Sequence, residues 1–266
     1  MFVSSSVTCF FAPKTGKPER SGSLGISFTI EKGVLVRLKD EGITFNGRDV
    51  ELPTLEYVLK RFNYEGGVEI LSDLPLGCGF GLSGAIALAT SLELNDLLGL
   101  NMPLFKVADI AHEAEVLNGT GLGDVTTQCY GGFVVRFSTS KPSACKVDRF
   151  LWEVEVDFLV MGGIKTEDIV RGNVKEIYEI GRKCLKEFLR KPSLENLFRV
   201  SKDFSLKTGL ADDRVIDAIE AVESCGGLAS MIMLGRGVFA YGGEVLKELR
   251  GRYFKSKVSL CGIRKT

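Results

Sequence analysis

The stretch LPLGCGFGLSGA, Leu74 to Ala85, sets four glycines (Gly77, Gly79, Gly81 and Gly84) around a single serine, Ser83. A strand-like run precedes it and an apolar, helix-like run follows. Bare backbone at this density lets successive N–H groups curl round an anion without Cβ obstruction, and the positive end of the following helix favours negative charge. A tight strand-to-helix turn does not need four glycines within eight residues, so the stretch reads as a phosphate-binding loop. Its details exclude the commonest loops of that kind. A Walker A loop requires a lysine before its serine or threonine, and none is present. GFGLSG satisfies the dinucleotide pattern G-x-G-x-x-G, but two helical stretches follow in succession. The acid at the nominal offset, Asp109, falls inside the second of them, so the βαβ context is missing. A protein-kinase catalytic loop needs His-Arg-Asp, and the one histidine, His112, precedes Glu113.

The order of elements around the loop predicts an α+β chain in two halves. Apolar segments alternating with turns predict strands over SVTCFF, GSLGISFTIEKGVLVRLKD, GITFNG and GGVEILSDLPLG, with a short helix at TLEYVLKRF. After the glycines, AIALATSLELNDLLG predicts a helix stopped at Gly99, and Pro103 opens a second one through LFKVADIAHEAEVL. NGTGLGDVTTQCYGG is expected to be a loop leading to the strand FVVRF. The polar, turn-rich STSKPSACKVDR places a boundary near residue 145, giving halves 1–147 and 148–266. The second half should hold the strand WEVEVDFLVM, three helices from about Thr166 to Ser224, and strands at LASMIML and VFAYG. A short helix EVLKELRGRY and a final strand KVSLCGI close it.

Composition narrows the function classes. Thirty-four basic residues balance 34 acidic ones, so no net field points to nucleic acid or an anionic membrane. No apolar run approaches the roughly 20 residues that cross a bilayer. The opening MFVSSSVTCFFAP lacks a basic start and is expected to be a buried strand, not a leader. Seven scattered cysteines without a C-x-x-C pair, with one histidine, give no zinc spacing and fit reduced thiols in the cytoplasm.

PLGCGFGLSGA resembles the second motif of the GHMP small-molecule kinases: a proline, alternating glycines, then a serine at a helix start. Four further stretches extend the likeness along the chain in the right order. They are SVTCFF (Ser6 to Phe11), SGSLG (Ser21 to Gly25), HEAEVLNGTGLGDV (His112 to Val125) and GGLASMIMLGRGVFA (Gly226 to Ala240). Departures occur at Ser4 and Ser5, where relatives often carry proline and glycine, and at Arg236 and Gly237 in the third motif. The resemblance implies a two-domain fold, with a ribosomal-protein-S5-like first half and a ferredoxin-like second half. It further implies phosphorylation of a small alcohol with ATP and Mg2+. The likeness is greatest to members that phosphorylate the terminal hydroxyl of (R)-pantoate in coenzyme A synthesis. Homoserine and mevalonate are rival acceptors, and an inactive ligand-binding regulator is the rival of a different class. A homodimer is left open.

The same resemblance distributes roles. Pro75, Gly77, Gly79, Gly81, Leu82, Ser83, Gly84 and Ala85 would hold the nucleotide. Ser83 would also ligate the metal, or cap the helix. A helix glutamate would be the second metal ligand: Glu113 and Glu115 compete, and the family pattern favours Glu115. Asp124, seven residues before Gly131 as in mevalonate-kinase-like relatives, would act as base, with a turn cap as the bland alternative. His112 is expected to be packed and hydrogen-bonded rather than catalytic. An acceptor with a carboxylate and a gem-dimethyl group asks for a cation beside a small apolar wall. Lys14, Arg20 and Arg171 are candidate cations, and Ser6, Thr8, Gly121 and Gly123 could line the site.

Overall fold

Thirteen residues, Phe2–Lys14, run as a single strand, β1, paired antiparallel along the eighteen-residue β2 (Gly22–Lys39). Their register shifts between Ser4 and Ser6 and again between Thr8 and Phe10, two bulges that bend the strand where its serines and threonine are grouped. The structure, a computed structural model, describes residues 1–163 and 174–266. Arg171, one of the three cation candidates, lies outside the described residues.

The first sheet continues from β2 through β5 (Gly67–Leu71) to the short β3 (Ile43–Phe45) and β4 (Arg48–Asp49). On another branch, β6 (Phe133–Arg136) joins β2 to β7 (Val147–Phe150), and the closing β12 (Ile263–Arg264) pairs with β1. The expected division at 147/148 falls at the start of β7, which bonds to the first sheet, as the chain's last strand also does. Four helices follow its strands: α2 (Leu82–Leu97) and α4 (Asp124–Tyr130) pack on the sheet, and α1 (Pro53–Arg61) and α3 (Leu104–Asn118) pack against α2 and each other. Alanines and leucines all round α2 bury most of its length, as suits a helix enclosed by sheet and neighbouring helices.

The second sheet is antiparallel, in the order β11 (Arg252–Lys257), β8 (Glu155–Gly163), β10 (Gly235–Tyr241), β9 (Leu228–Met231). Counted within this half, the order is fourth, first, third, second. Among the described residues, three helices, α5 (Val174–Arg190), α6 (Leu194–Lys207) and α7 (Asp213–Ser224), separate β8 from β9 in sequence. The α+β architecture is as expected. Phe28 of β2 lies 5.4 Å from Phe239 of β10 and 6.5 Å from Phe158 of β8, ring centre to centre, and one apolar core runs through both sheets.

Three local expectations are corrected. The stretch after Asn118 is not all loop: Gly123 starts α4, and Gly131, at φ +73°, ends it. EVLKELRGRY forms only a 3-10 turn, Glu244–Glu248, before β11. Leu249 is already extended (ψ 153°) and ends the turn, and beyond it a β-carbon on Gly251 would meet the Leu159 side chain at 2.7 Å. KVSLCGI is not continuous strand either: Lys257 ends β11, and Val258 makes a single bridge to Ile30.

Candidate active site

The glycine loop takes its shape from three left-handed residues: Gly77 (φ +71°), Gly79 (+81°) and Gly81 (+59°). Gly79 also permits a close approach. A β-carbon there would sit 2.6 Å from the Met233 carbonyl oxygen in the turn between β9 and β10, so the third motif packs directly on the loop. Gly81 is the N-cap of α2 and offers no side-chain cap, so the helix's first-turn N–H groups face the loop without one. That is the arrangement an anion needs, and an appropriate seat for phosphate oxygens. Ser83 lies inside the first turn, one residue beyond Leu82, and is not the N-cap.

Glu115 comes to the loop from α3. Its Oε1 accepts from Ser83 Oγ at 2.6 Å and from Thr120 Oγ1 at 2.6 Å, while its Oε2 is buried without a partner. Burial pushes the Glu115 carboxyl up to about 7, against the pull of those two hydroxyls, and Asp124 raises it further. Gly84 and Gly121 leave the room this carboxylate occupies: a β-carbon on Gly84 would be 3.2 Å from Oε2, and one on Gly121 would overlap it. A buried, unpartnered carboxylate oxygen beside a hydroxyl fits a small divalent cation that keeps most of its waters. Glu113 is excluded from this position. It is partly exposed and holds the Tyr57 hydroxyl.

Asp124 opens α4 and lines a cavity of about 410 Å³. Ser6 Oγ donates to its Oδ1 at 2.8 Å. Burial raises the Asp124 carboxyl above its usual range, opposed by the Ser6 hydrogen bond and the charge of Arg136. Thr8, Gly121 and Gly123 line the same cavity, and Phe11, Val116, Leu122, Ile177 and Leu234 supply an apolar wall. Thr8 shares a hydrogen bond with Ser27 at 2.9 Å. Ser6 stands behind Asp124, outside the lining.

The cation of this cavity is one that sequence reasoning missed. Arg136, 1% exposed, reaches the lining from β6. It donates to Ser23 O (3.1 Å), Ser27 Oγ (3.0 Å) and Thr127 Oγ1 (2.6 Å), and among the described residues no carboxylate forms an ion pair with it. Gly123 makes way for it: a β-carbon there would stand 2.8 Å from the guanidinium. A buried charge without an ion-pair partner asks for a ligand of opposite sign. The available signal was an arginine at the end of the otherwise apolar run FVVR. Lys14 and Arg20 are exposed and lie outside the lining.

His112 is buried as expected, its Nε2 near the carbonyls of Ser21 (3.1 Å) and Pro18 (3.3 Å). Two of the departures from the motif find local partners, while the buried Ser5 hydroxyl finds none among the described residues. Arg236 sits at a bulge in β10 and pairs with Asp212 at 2.6 Å, and Ser4 Oγ donates to the Cys261 carbonyl at 3.2 Å.

Known proteins match the chain over nearly its whole length. A family model described as the GHMP kinases N terminal domain matches residues 51–132, the span that carries the glycine loop, Glu115 and Asp124. The chain is 36% identical over 253 residues to a pantoate kinase of Methanocaldococcus jannaschii, covering 90% of this chain and 91% of that one. It is 34% identical over 259 residues to a pantoate kinase of Thermococcus kodakarensis, covering 90% and 86%. A solved structure described as a phosphotransferase related to the CoA biosynthesis pathway superposes with a TM-score of 0.85. That match has 29% identity over 97% of this chain and 95% of the other.

Proposed function

The chain belongs to the pantoate kinases of the GHMP kinase superfamily, and from that premise we propose that it transfers the γ-phosphoryl group of ATP to the terminal hydroxyl of (R)-pantoate, in coenzyme A synthesis. One observation carries the acceptor side: Asp124 and Arg136, which has no ion-pair partner among the described residues, line a single cavity that borders the phosphate loop through Gly81. The Arg136 guanidinium receives the acceptor carboxylate, and the apolar wall of Phe11, Ile177 and Leu234 receives its gem-dimethyl group. The hydroxyl then lies against Asp124.

Each residue has a definable task. The loop glycines and the start of α2 hold the phosphates, while Ser83 and Glu115 supply the two protein oxygens for Mg2+. When bound, that ion neutralises charge on the phosphates. Asp124, its Oδ1 fixed by Ser6, aligns the acceptor hydroxyl and takes its proton as the new O–P bond forms and ADP leaves. Burial of Asp124 lifts its basicity toward the working pH. All seven cysteines are free, which supports a reducing, cytoplasmic setting. Among the described residues, no helix is long and apolar enough to cross a membrane.

The test is ADP release with MgATP against pantoate, pantothenate, homoserine, mevalonate, shikimate and galactose. Turnover confined to pantoate is expected. Turnover with homoserine or mevalonate instead would leave the phosphate loop in place and overturn the acceptor. Binding of MgATP without turnover of any acceptor would point to the regulator reading.

A further inference from the structure

Gln128 is fully buried on α4, four residues after Asp124 and hence on the same face of that helix. Its Nε2 donates to two groups: the Gly81 carbonyl at 2.8 Å and Ser6 Oγ at 3.2 Å. The first partner is a carbonyl that can only accept, so the amide nitrogen must face it. The second hydrogen of the same nitrogen then fills an acceptor position on Ser6 Oγ. The Ser6 hydroxyl has a single hydrogen, and it goes to Asp124 Oδ1 at 2.8 Å. Gln128 Oε1, by contrast, is buried with no partner. An amide half unsatisfied in the interior is unfavourable, and a methionine of similar shape would avoid it.

We infer that Gln128 is a positioning residue for phosphoryl transfer, whose amide ties the Asp124 carboxylate, through Ser6, to the N-cap of the phosphate-binding helix. Gly81 caps α2 and its carbonyl also accepts from Ala85 N at 3.0 Å, so the helix start keeps a bond of its own without Gln128. What Gln128 adds is the relation between that helix and the base. Without its donor, nothing holds the Ser6 hydroxyl from the Gly81 side, and Asp124 Oδ1 loses a partner fixed in place. Nucleotide binding should then survive while the acceptor hydroxyl is poorly aligned.

The inference rests on the kinase reading, so the experiment starts from turnover of pantoate by the wild-type enzyme. If the wild type fails to turn over, the kinase reading fails and takes this one with it. Given turnover, Gln128→Met, Ser6→Ala and the double variant are compared for kcat, acceptor KM and calorimetric MgATP affinity. Gln128→Met should lower kcat about 10–100-fold, the scale of a small misplacement at a reacting centre, with MgATP affinity within about threefold of wild type. The double variant should be about as slow as the slower single one, because both changes break one chain of hydrogen bonds. If Gln128→Met does not fold, Gln128→Asn, too short to span Gly81 and Ser6, is read in the same way. A kcat within about twofold of wild type, losses that multiply in the double variant, or a MgATP affinity that falls in step with kcat would overturn the inference.

Discussion

Gly81 and Asp124 face each other with no room for a side chain between them: a β-carbon on Gly81 would lie 2.9 Å from Asp124 Oδ1 and would overlap Ser6 Oγ. The N-cap of α2 thus lies against the Asp124 carboxylate, and in the proposed reaction the phosphate seat and the base are set at contact distance by the absence of one methyl group. Gly81→Ala should therefore damage catalysis beyond its backbone strain. Gly99 provides the control, since at φ +60° it has the same left-handed backbone and nothing within 4 Å of its missing β-carbon. Gly99→Ala should lose about 1 kcal/mol of stability through the left-handed conformation, and Gly81→Ala at least as much, since its β-carbon also displaces Ser6 Oγ. Only Gly81→Ala should lower kcat by more than about tenfold, the effect of displacing a reacting group. Equal activities of the two variants would sever the contact from function.

Asp124→Asn keeps an acceptor oxygen for Ser6 but removes the basic carboxylate. Turnover should fall about 10²–10⁴-fold, the usual loss with a general base. MgATP affinity measured by calorimetry should hold. Turnover within a small factor of wild type would make Asp124 a helix-start residue and nothing more.

Glu115 should leave a signature in the pH dependence of stability. Its carboxyl titrates at about 7 in the folded protein against an ordinary 4.5, because burial disfavours the charge. Between those values the folded protein retains a proton that the unfolded chain has released, so stability falls as pH rises from about 4.5 to 7 and is level above. The full effect is roughly 3 kcal/mol at 1.36 kcal/mol per unit. Glu115→Gln cannot titrate. In metal-free buffer its melting temperature, relative to wild type, should be more favourable at pH 8 than at pH 5. A difference independent of pH would show that the carboxyl titrates normally.

Arg136→Lys preserves the buried charge but not the fork that reaches Ser23, Ser27 and Thr127. The acceptor KM should rise at least about tenfold, as expected for loss of a charge-assisted pair, with the KM for ATP nearly constant. If the KM for ATP rises instead, Arg136 serves the nucleotide side. Comparable melting curves for the two proteins would exclude simple unfolding as the cause.

How much of this was legible before folding differs from residue to residue. The loop could be read because a positive φ at Gly77, Gly79 and Gly81 is a property of each residue, and the helix behind it is a property of a short window. Asp124 could be placed because its motif is contiguous with the glycines around it. The short helix it starts could not, since seven residues without a strong apolar period look like loop. Lys14 and Arg20 were plausible cations on charge alone, yet both remain in solvent. Arg136 was hidden because an arginine ending a strand ordinarily points to solvent; here the hydroxyls of Ser23, Ser27 and Thr127 surround it.

The sequence by itself determined the family, through five stretches in the right order, and the glycine loop with the helix that presents Ser83, which are encoded within a few consecutive residues. Only the tertiary structure decided between Glu113 and Glu115, because two residues of one helix differ in which neighbour they meet, and only Glu115 meets Ser83. It also decided the cation of the cavity and the Gly81–Gln128–Ser6–Asp124 chain. Each link of that chain joins residues more than forty positions apart, held together where β1, the start of α2 and α4 pack against one another. A hydrogen bond needs its two atoms within about 3 Å, and no local propensity specifies which distant residue will supply the second one.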